Sequence, residues 1–175
     1  PIDSLELVMQ LREALTIDGP TYIRIGKKGE PLIHKDSKNI GISTGKIHIK
    51  GKDKIILGVG PIINEAIKAS NELKRYGIDL GVASLGGIVP LDDRFLENIS
   101  KQNYKTWITL EEHSKIGGLG SSIMEWLTNN NSIKQIDLHR IGAPNDFIHQ
   151  IGNQDYTRKK LGLDSNSILD YVKKL

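Results

Sequence analysis

The chain has 175 residues, and its 24 Lys and Arg against 21 Asp and Glu leave a net charge of +3, too small for the electrostatic footprint of a nucleic-acid binder. Zero cysteines exclude a disulfide framework, a thiolate zinc site and a cysteine nucleophile. With 38% hydrophobic residues and 18 glycines the chain can bury a real core, and its length allows one domain or one domain plus a fragment, with no uncharged run near the ~18 residues of a membrane span.

Asp3 followed by Glu6 is a capping-box-like start, and Leu5, Val8, Leu11, Ala14 and Leu15 recur at the spacing of one helical face. A helix is expected over 3–15, stopped by Asp18-Gly19-Pro20, and Thr21–Ile25 reads as a short strand. From Gly26 to Gly45 there is no sustained period, and a structureless stretch of that length inside a compact domain points to a linker. The lone helix–strand unit cannot bury both its faces, so its neighbours are expected on another polypeptide or on an upstream part. The first residue is Pro1, which suggests a chain that was processed, cloned or cut.

A different rhythm follows. Lys46–Lys50 and Lys54–Gly60 are candidate strands, the first short and flanked by lysine, which suits an edge. Pro61 fits a first helical position, Ile62 through Leu73 carry a helical stripe, and Gly77 ends it. Strands are expected at 78–84, 104–110 and 136–141, helices at 92–100 and 117–129, and short helices around Phe147, 158–161 and 168–172. Strands separated by helices imply a three-layer α/β/α Rossmann-like fold. Its five-stranded sheet is mainly parallel, with one antiparallel edge strand.

Candidate chemistry collects in three places. Gly117, Gly118, Gly120 and Ser121 open a helix just after a parallel strand, where exposed amides attract anions, although the same glycines also serve tight turning and close packing. Glu111, Glu112 and His113 precede them. Alternating side chains cannot all reach one metal ion, so these three are candidates for a subunit interface rather than a metal site. Arg24, Lys27 and Lys28 cluster at the end of the lone strand, where a sheet would present charge to an anionic substrate, beside the reading as solvated lysines. His34, His48, His139 and His149 lack ligand spacing and read as surface or packed histidines, and Trp107 and Trp126 as core or interface anchors.

In this order the segments resemble the C-terminal third of the transketolase family. The resemblance rests on Gly19-Pro20-Thr21-Tyr22-Ile23-Arg24, Gly60-Pro61, Val89-Pro90-Leu91-Asp92, Leu110-Glu111-Glu112-His113, Gly117–Ser121 and Ile141–Phe147. It implies residues 1–25 as the end of a pyrimidine-binding domain, 26–45 as a linker and 46–175 as a transketolase C-terminal-like domain. It also implies an enzyme that moves a two-carbon ketol unit between sugar phosphates. Thiamine diphosphate and its magnesium ion would sit in the complete enzyme, with none on this chain and no catalytic residue within it. The implied setting is a cytoplasmic homodimer completed by an N-terminal part or subunit, without nucleic acid or membrane. Family members commonly carry a substrate-phosphate-binding arginine at the position of Lys27, so the resemblance implies Lys27 as the substrate-phosphate candidate; many also carry lysine before Pro90, and both departures bear on the substrate. A deoxyxylulose-phosphate synthase, a 2-oxoacid dehydrogenase β subunit and a non-enzymatic anion- or nucleotide-binding module are the alternatives.

Overall fold

The computed structural model describes residues 1–26, 29–130, 135–149 and 151–175. Helix α1 (Ser4–Ala14) is followed, after a long irregular strap, by strands β1 (Gly45–Ile49) and β2 (Lys54–Gly58) and helix α2 (Ile63–Leu73). Then come β3 (Leu80–Leu85), α3 (Asp93–Ser100), β4 (Thr106–Ser114), α4 (Leu119–Asn129), β5 (Asp137–Ala143), α5 (Gln154–Leu161) and α6 (Ser165–Val172). The strand order is β1-β3-β2-β4-β5. All pairs are parallel except β1 with β3, so the lysine-flanked strand is indeed the antiparallel edge.

Alternation along the inner strands builds two cores. Ile56, Val82 and Ile108 face α2 and α6 through Ile63, Ala66, Leu73, Ile168 and Val172. Ile55, Leu57, Ala83 and Trp107 face α3 and α4 through Leu96, Ile99, Leu119 and Ile123. Both faces being covered explains why the inner strands read as unbroken apolar runs. The chain leaves β2 for β3 on one side and then passes back over it to β4. The sheet therefore switches direction between β2 and β4, and a crevice opens at their carboxyl ends.

Local chemistry sets the boundaries. Gly77, at φ +74°, ends the helical stretch in the left-handed conformation that glycine tolerates best. Asp92 caps α3 by accepting from the Phe95 amide at 2.9 Å, and its other oxygen accepts from the Gly45 amide at 2.9 Å, tying β1 to the β3–α3 loop. Pro61 lies before α2 rather than at its first position: the amides of Ile63, Asn64 and Glu65 bond three residues back, so Pro61 belongs to a tight lead-in turn. No helix forms around Phe147, which is 86% exposed on an irregular segment with no surface to cover an apolar face.

Two departures concern the first 26 residues. Thr21–Ile25 is irregular, not a strand, and among the described residues no ladder partner lies beside it. Helix α1 forms where its periodicity predicts, yet its apolar stripe points away from the domain. Asp3, Glu6 and Gln10 are buried, while Val8, Leu11 and Leu15 are exposed, Leu15 by 88%. Hydrogen bonding holds the helix this way round. Gln10 Nε2 donates to the Gly86 carbonyl at 2.6 Å, and Glu13 Oε2 accepts from the Ile42 amide at 2.6 Å. Asp3 Oδ1 accepts from the Glu6 amide, and Oδ2 accepts from the amides of Ile33 and His34 at 2.8 and 2.7 Å.

Below α1, His34 is buried and His48 beside it is half-buried. His34 Nδ1 lies 3.1 Å from Asp3 Oδ2, an oxygen already accepting two amides, so Nδ1 is the donor. His48 Nε2 meets Ser84 Oγ at 2.8 Å, and the two imidazoles approach edge to face with centroids 5.3 Å apart. Burial opposes ionisation of Asp3, but the amides of Glu6, His34 and Ile33 and the His34 ring outweigh it and hold its carboxyl below the usual value. Burial pushes the Glu6 carboxyl up.

Burial, with the neighbouring His34 and Lys46, lowers the His48 pKa from 6.5 to about 4. The unfolded chain takes up a proton there at a pH where folded His48 does not, so this residue costs stability as pH falls from 6.5 towards 4. His48→Gln keeps a polar group beside Ser84 and removes the titration. Urea midpoints between pH 7 and 4 should decline less in the variant than in the parent, and the difference isolates His48 from the oppositely acting Glu6.

Candidate functional site

The carboxyl end of the sheet gathers most of the residues singled out by sequence. β4 continues four residues beyond its expected end, so Glu111, Glu112 and His113 lie inside the strand, at an irregularity in its pairing with β5. Such a break re-aims side chains. Glu111 points to the α4 face, is fully buried, and accepts from the amides of Leu119 and Gly120 at 2.8 and 2.9 Å. Glu112 points the other way: its Oε1 accepts from Arg158 Nε at 2.7 Å and from Gln154 Nε2 at 3.2 Å. His113 is exposed, with Nδ1 2.9 Å from the Ser114 carbonyl oxygen.

This arrangement defines what the glycine turn does. The partial positive charge at the start of α4 attracts an anion, and the anion on its Leu119 and Gly120 amides is the chain's own Glu111. Gly118 fits because a methyl group there would overlap Glu111 Oε2, and Gly117 sits at φ +75°. Gly120 is in the first turn, where a side chain would meet Arg140 and Thr109. Ser121 Oγ accepts from the Gly117 amide at 3.0 Å and is 3.3 Å from the Lys115 carbonyl, which closes the turn on itself. Glu111 therefore lies inside the fold, whereas Glu112 and His113 stand nearer the surface.

Arg24 is brought to the same edge, its Nη1 donating to the Glu112 carbonyl at 3.4 Å. Lys27 lies outside the described residues. Among the described residues no group of three His, Asp or Glu side chains is placed to hold a metal ion, and no helix is long and apolar enough to cross a membrane. Sequence reasoning missed Arg158, which sits in a lysine-rich helix and reads as solvated, and it missed the joint burial of Asp3, Glu6 and His34. The only advance signal for Glu111 was an acid placed a few residues before a glycine-rich helix start.

The family model for the transketolase C-terminal domain matches residues 43–168. The chain belongs to the transketolase C-terminal domain family. Its α/β/α sheet with one antiparallel edge is matched by a solved chain described as a split gene transketolase, inactive beta4 tetramer. The TM-score is 0.88 at 28% identity, over 99% of this chain and 55% of that one. It is 34% identical over 173 residues to the 6-deoxy-6-sulfo-D-fructose transketolase subunit SqwH of a Clostridium species, covering 97% of this chain and 51% of the relative. It is 32% identical to the 1-deoxy-D-xylulose-5-phosphate synthase of Halothermothrix orenii, covering 100% of this chain and 27% of the relative. The chain thus spans about half the length of the transketolase relative and about a quarter of the synthase.

Glu111→Gln puts an amide group against two backbone donors, one of which then loses its acceptor. The expected cost is about 1.5–3 kcal/mol, the range for a hydrogen bond to a charged group. Urea unfolding followed by Trp107 and Trp126 fluorescence checks it, and a midpoint equal to the parent's would refute the internal-anion role.

Proposed function

We propose that this chain is the C-terminal section of a thiamine-diphosphate-dependent transketolase whose complete form moves a two-carbon ketol unit between sugar phosphates. The observation that carries this reading is the reversed helix α1. Its polar face is locked to the domain while Val8, Leu11, Leu15, Tyr22 and Ile25 stand in solvent beside the unpaired segment 20–26. An exposed apolar stripe next to free backbone donors and acceptors is half of an interface, since a lone strand is not stable without sheet neighbours. Residues 1–25 are then the end of a pyrimidine-binding domain, 26–45 the linker and 46–175 the C-terminal domain. The missing neighbours belong to an N-terminal part or subunit, in a cytoplasmic homodimer.

Thiamine diphosphate would supply the carbanion chemistry of ketol transfer, but the residues present here do not fit it. The helix start best suited to a diphosphate is filled by Glu111, whose carboxylate already takes the Leu119 and Gly120 amides. The cofactor is accordingly assigned to the remainder of the enzyme. This chain's part is subunit contact through the α1 face and through Glu112 and His113 at the sheet edge, and support of the substrate channel. By the family resemblance Lys27 is the substrate-phosphate contact. A lysine there keeps the charge but loses the bidentate fork of arginine. That the related split-gene chain is described as an inactive tetramer supports inactivity of this section alone.

A second reading, the C-terminal part of a 1-deoxy-D-xylulose-5-phosphate synthase, is favoured by an alignment that spans the whole of this chain and 27% of that relative. Product analysis of the assembled enzyme separates the two, because the synthase releases carbon dioxide from a 2-oxoacid and the transketolase does not.

The purified chain should show no ketol transfer by itself and should restore it when mixed with the N-terminal section. Full turnover by the chain alone would overturn the proposal. Leu15→Glu should leave the melting temperature within error, as the side chain is already in water, and should weaken assembly at least tenfold by sedimentation. Lys27→Ala in the assembled enzyme should raise KM for the phosphorylated substrate more than it lowers kcat.

A further inference from the structure

Strand β5 and the last turn of α6 bring together three groups that the proposed function does not use. Asp137 and His139 lie two residues apart on β5 and so point to the same side of the sheet, the side on which Ile141 packs with α6. There His139 Nε2 is 2.8 Å from Asp137 Oδ2, and His139 Nδ1 is 3.1 Å from the Tyr171 hydroxyl. The two rings meet edge to face, with centroids 6.0 Å apart. Ile168 and Val172 are buried on either side of Tyr171 in the chain, so α6 holds the phenol against β5 while Tyr171 stays 37% exposed.

These contacts fix the proton positions. A carboxylate can only accept, so Nε2 carries the proton of the neutral imidazole and Nδ1 is left as an acceptor. The phenol must then be the donor. Carboxylate, imidazole and hydroxyl thus stand in the order that turns a hydroxyl into a nucleophile: the ring takes the hydroxyl proton, and the carboxylate orients the ring and stabilises the cation it becomes. Stability alone gives little reason for the trio. The Asp137 side chain is 68% exposed, and a pair so open to water contributes little to folding.

We propose that Tyr171 is a nucleophilic tyrosine that takes up acyl groups from activated acyl donors, with His139 as its general base and Asp137 as the residue that positions the imidazole. In the step, Tyr171 Oη attacks the acyl carbon, its proton passes to His139 Nδ1, and the bond from the acyl carbon to the leaving group breaks. The proton then departs with the leaving group. The product is an acyl ester of Tyr171, and no oxidant or reductant takes part. The site is independent of the assignment of the chain to a ketol-transfer enzyme, and its test needs no turnover.

The purified chain is treated with N-acetylimidazole, and acetylation of each tyrosine is followed over time by peptide mass spectrometry. Accessibility alone would favour Tyr22, which is 89% exposed, over Tyr171. Tyr171 should instead react faster than Tyr22 by on the order of a hundredfold, the lower range for a positioned general base. Its rate should drop as the His139 ring takes up a proton, with a midpoint that coincides with the titration of the His139 ring signals in nitrogen-15 spectra. His139→Gln should bring Tyr171 to the rate of Tyr22 or below and remove that pH step. Asp137→Asn alters an exposed residue, should keep the parent's melting temperature, and should slow Tyr171 by about tenfold or more with Tyr22 unchanged. Tyr171 reacting no faster than Tyr22 in the parent would overturn the proposal. So would an unchanged Tyr171 rate in either variant.

Discussion

The carboxylate of Asp3 is the junction on which the arrangement of the first third of the chain depends. One of its oxygens caps α1, and the other gathers the Ile33 and His34 amides together with the His34 ring. A single buried side chain thus fixes the start of a helix and a strap about 30 residues further on. Removing it would leave the Ile33 and His34 amides without that acceptor, the His34 amide in a buried position where an unpaired polar group is costly. Because the polar face of α1 is held inward by this contact and by Gln10 and Glu13, its apolar residues have only the outside left to face.

The same use of an internal carboxylate recurs at the other end of the domain. Glu111 closes the positive start of α4 and Glu112 anchors Arg158, each on its own side of the sheet. Two adjacent acids, split by the alternation of a strand, pin one helix to each face of β4. This division of labour gives the carboxyl edge of the sheet a rigid frame.

Much of the fold was legible because its signals are local. Apolar β-branched runs, helical stripes and the stops at Gly77 and Asp92 place five strands and most helices within a few residues. The edge position of β1 was visible in the lysines around Ile47 and Ile49, whereas its antiparallel direction is not written in them. What sequence could not show were choices made by distant partners. The periodicity of α1 reveals a stripe but not which side of the helix meets the domain, and that choice rests on Gly86, Ile42 and His34, far along the chain. Thr21–Ile25 has strand composition, yet composition supplies no neighbour. The charges at Glu111 and Glu112 read as the end of a strand, because burial of a carboxylate becomes reasonable only once the α4 amides and Arg158 are in place. The isolated cation in a basic helix, Arg158, was hidden for the same reason.

Amide hydrogen exchange across Thr21–Ile25 and the outward side of α1 tests the central claim, that this face is one half of a larger interface, most directly. The amides of Thr21–Ile25 should exchange almost at the free-peptide rate in the isolated chain and slow by at least tenfold once the N-terminal section is added, while the Ile33 and His34 amides stay protected throughout. Strong protection of Thr21–Ile25 in the isolated chain, or none gained in the mixture, would contradict it.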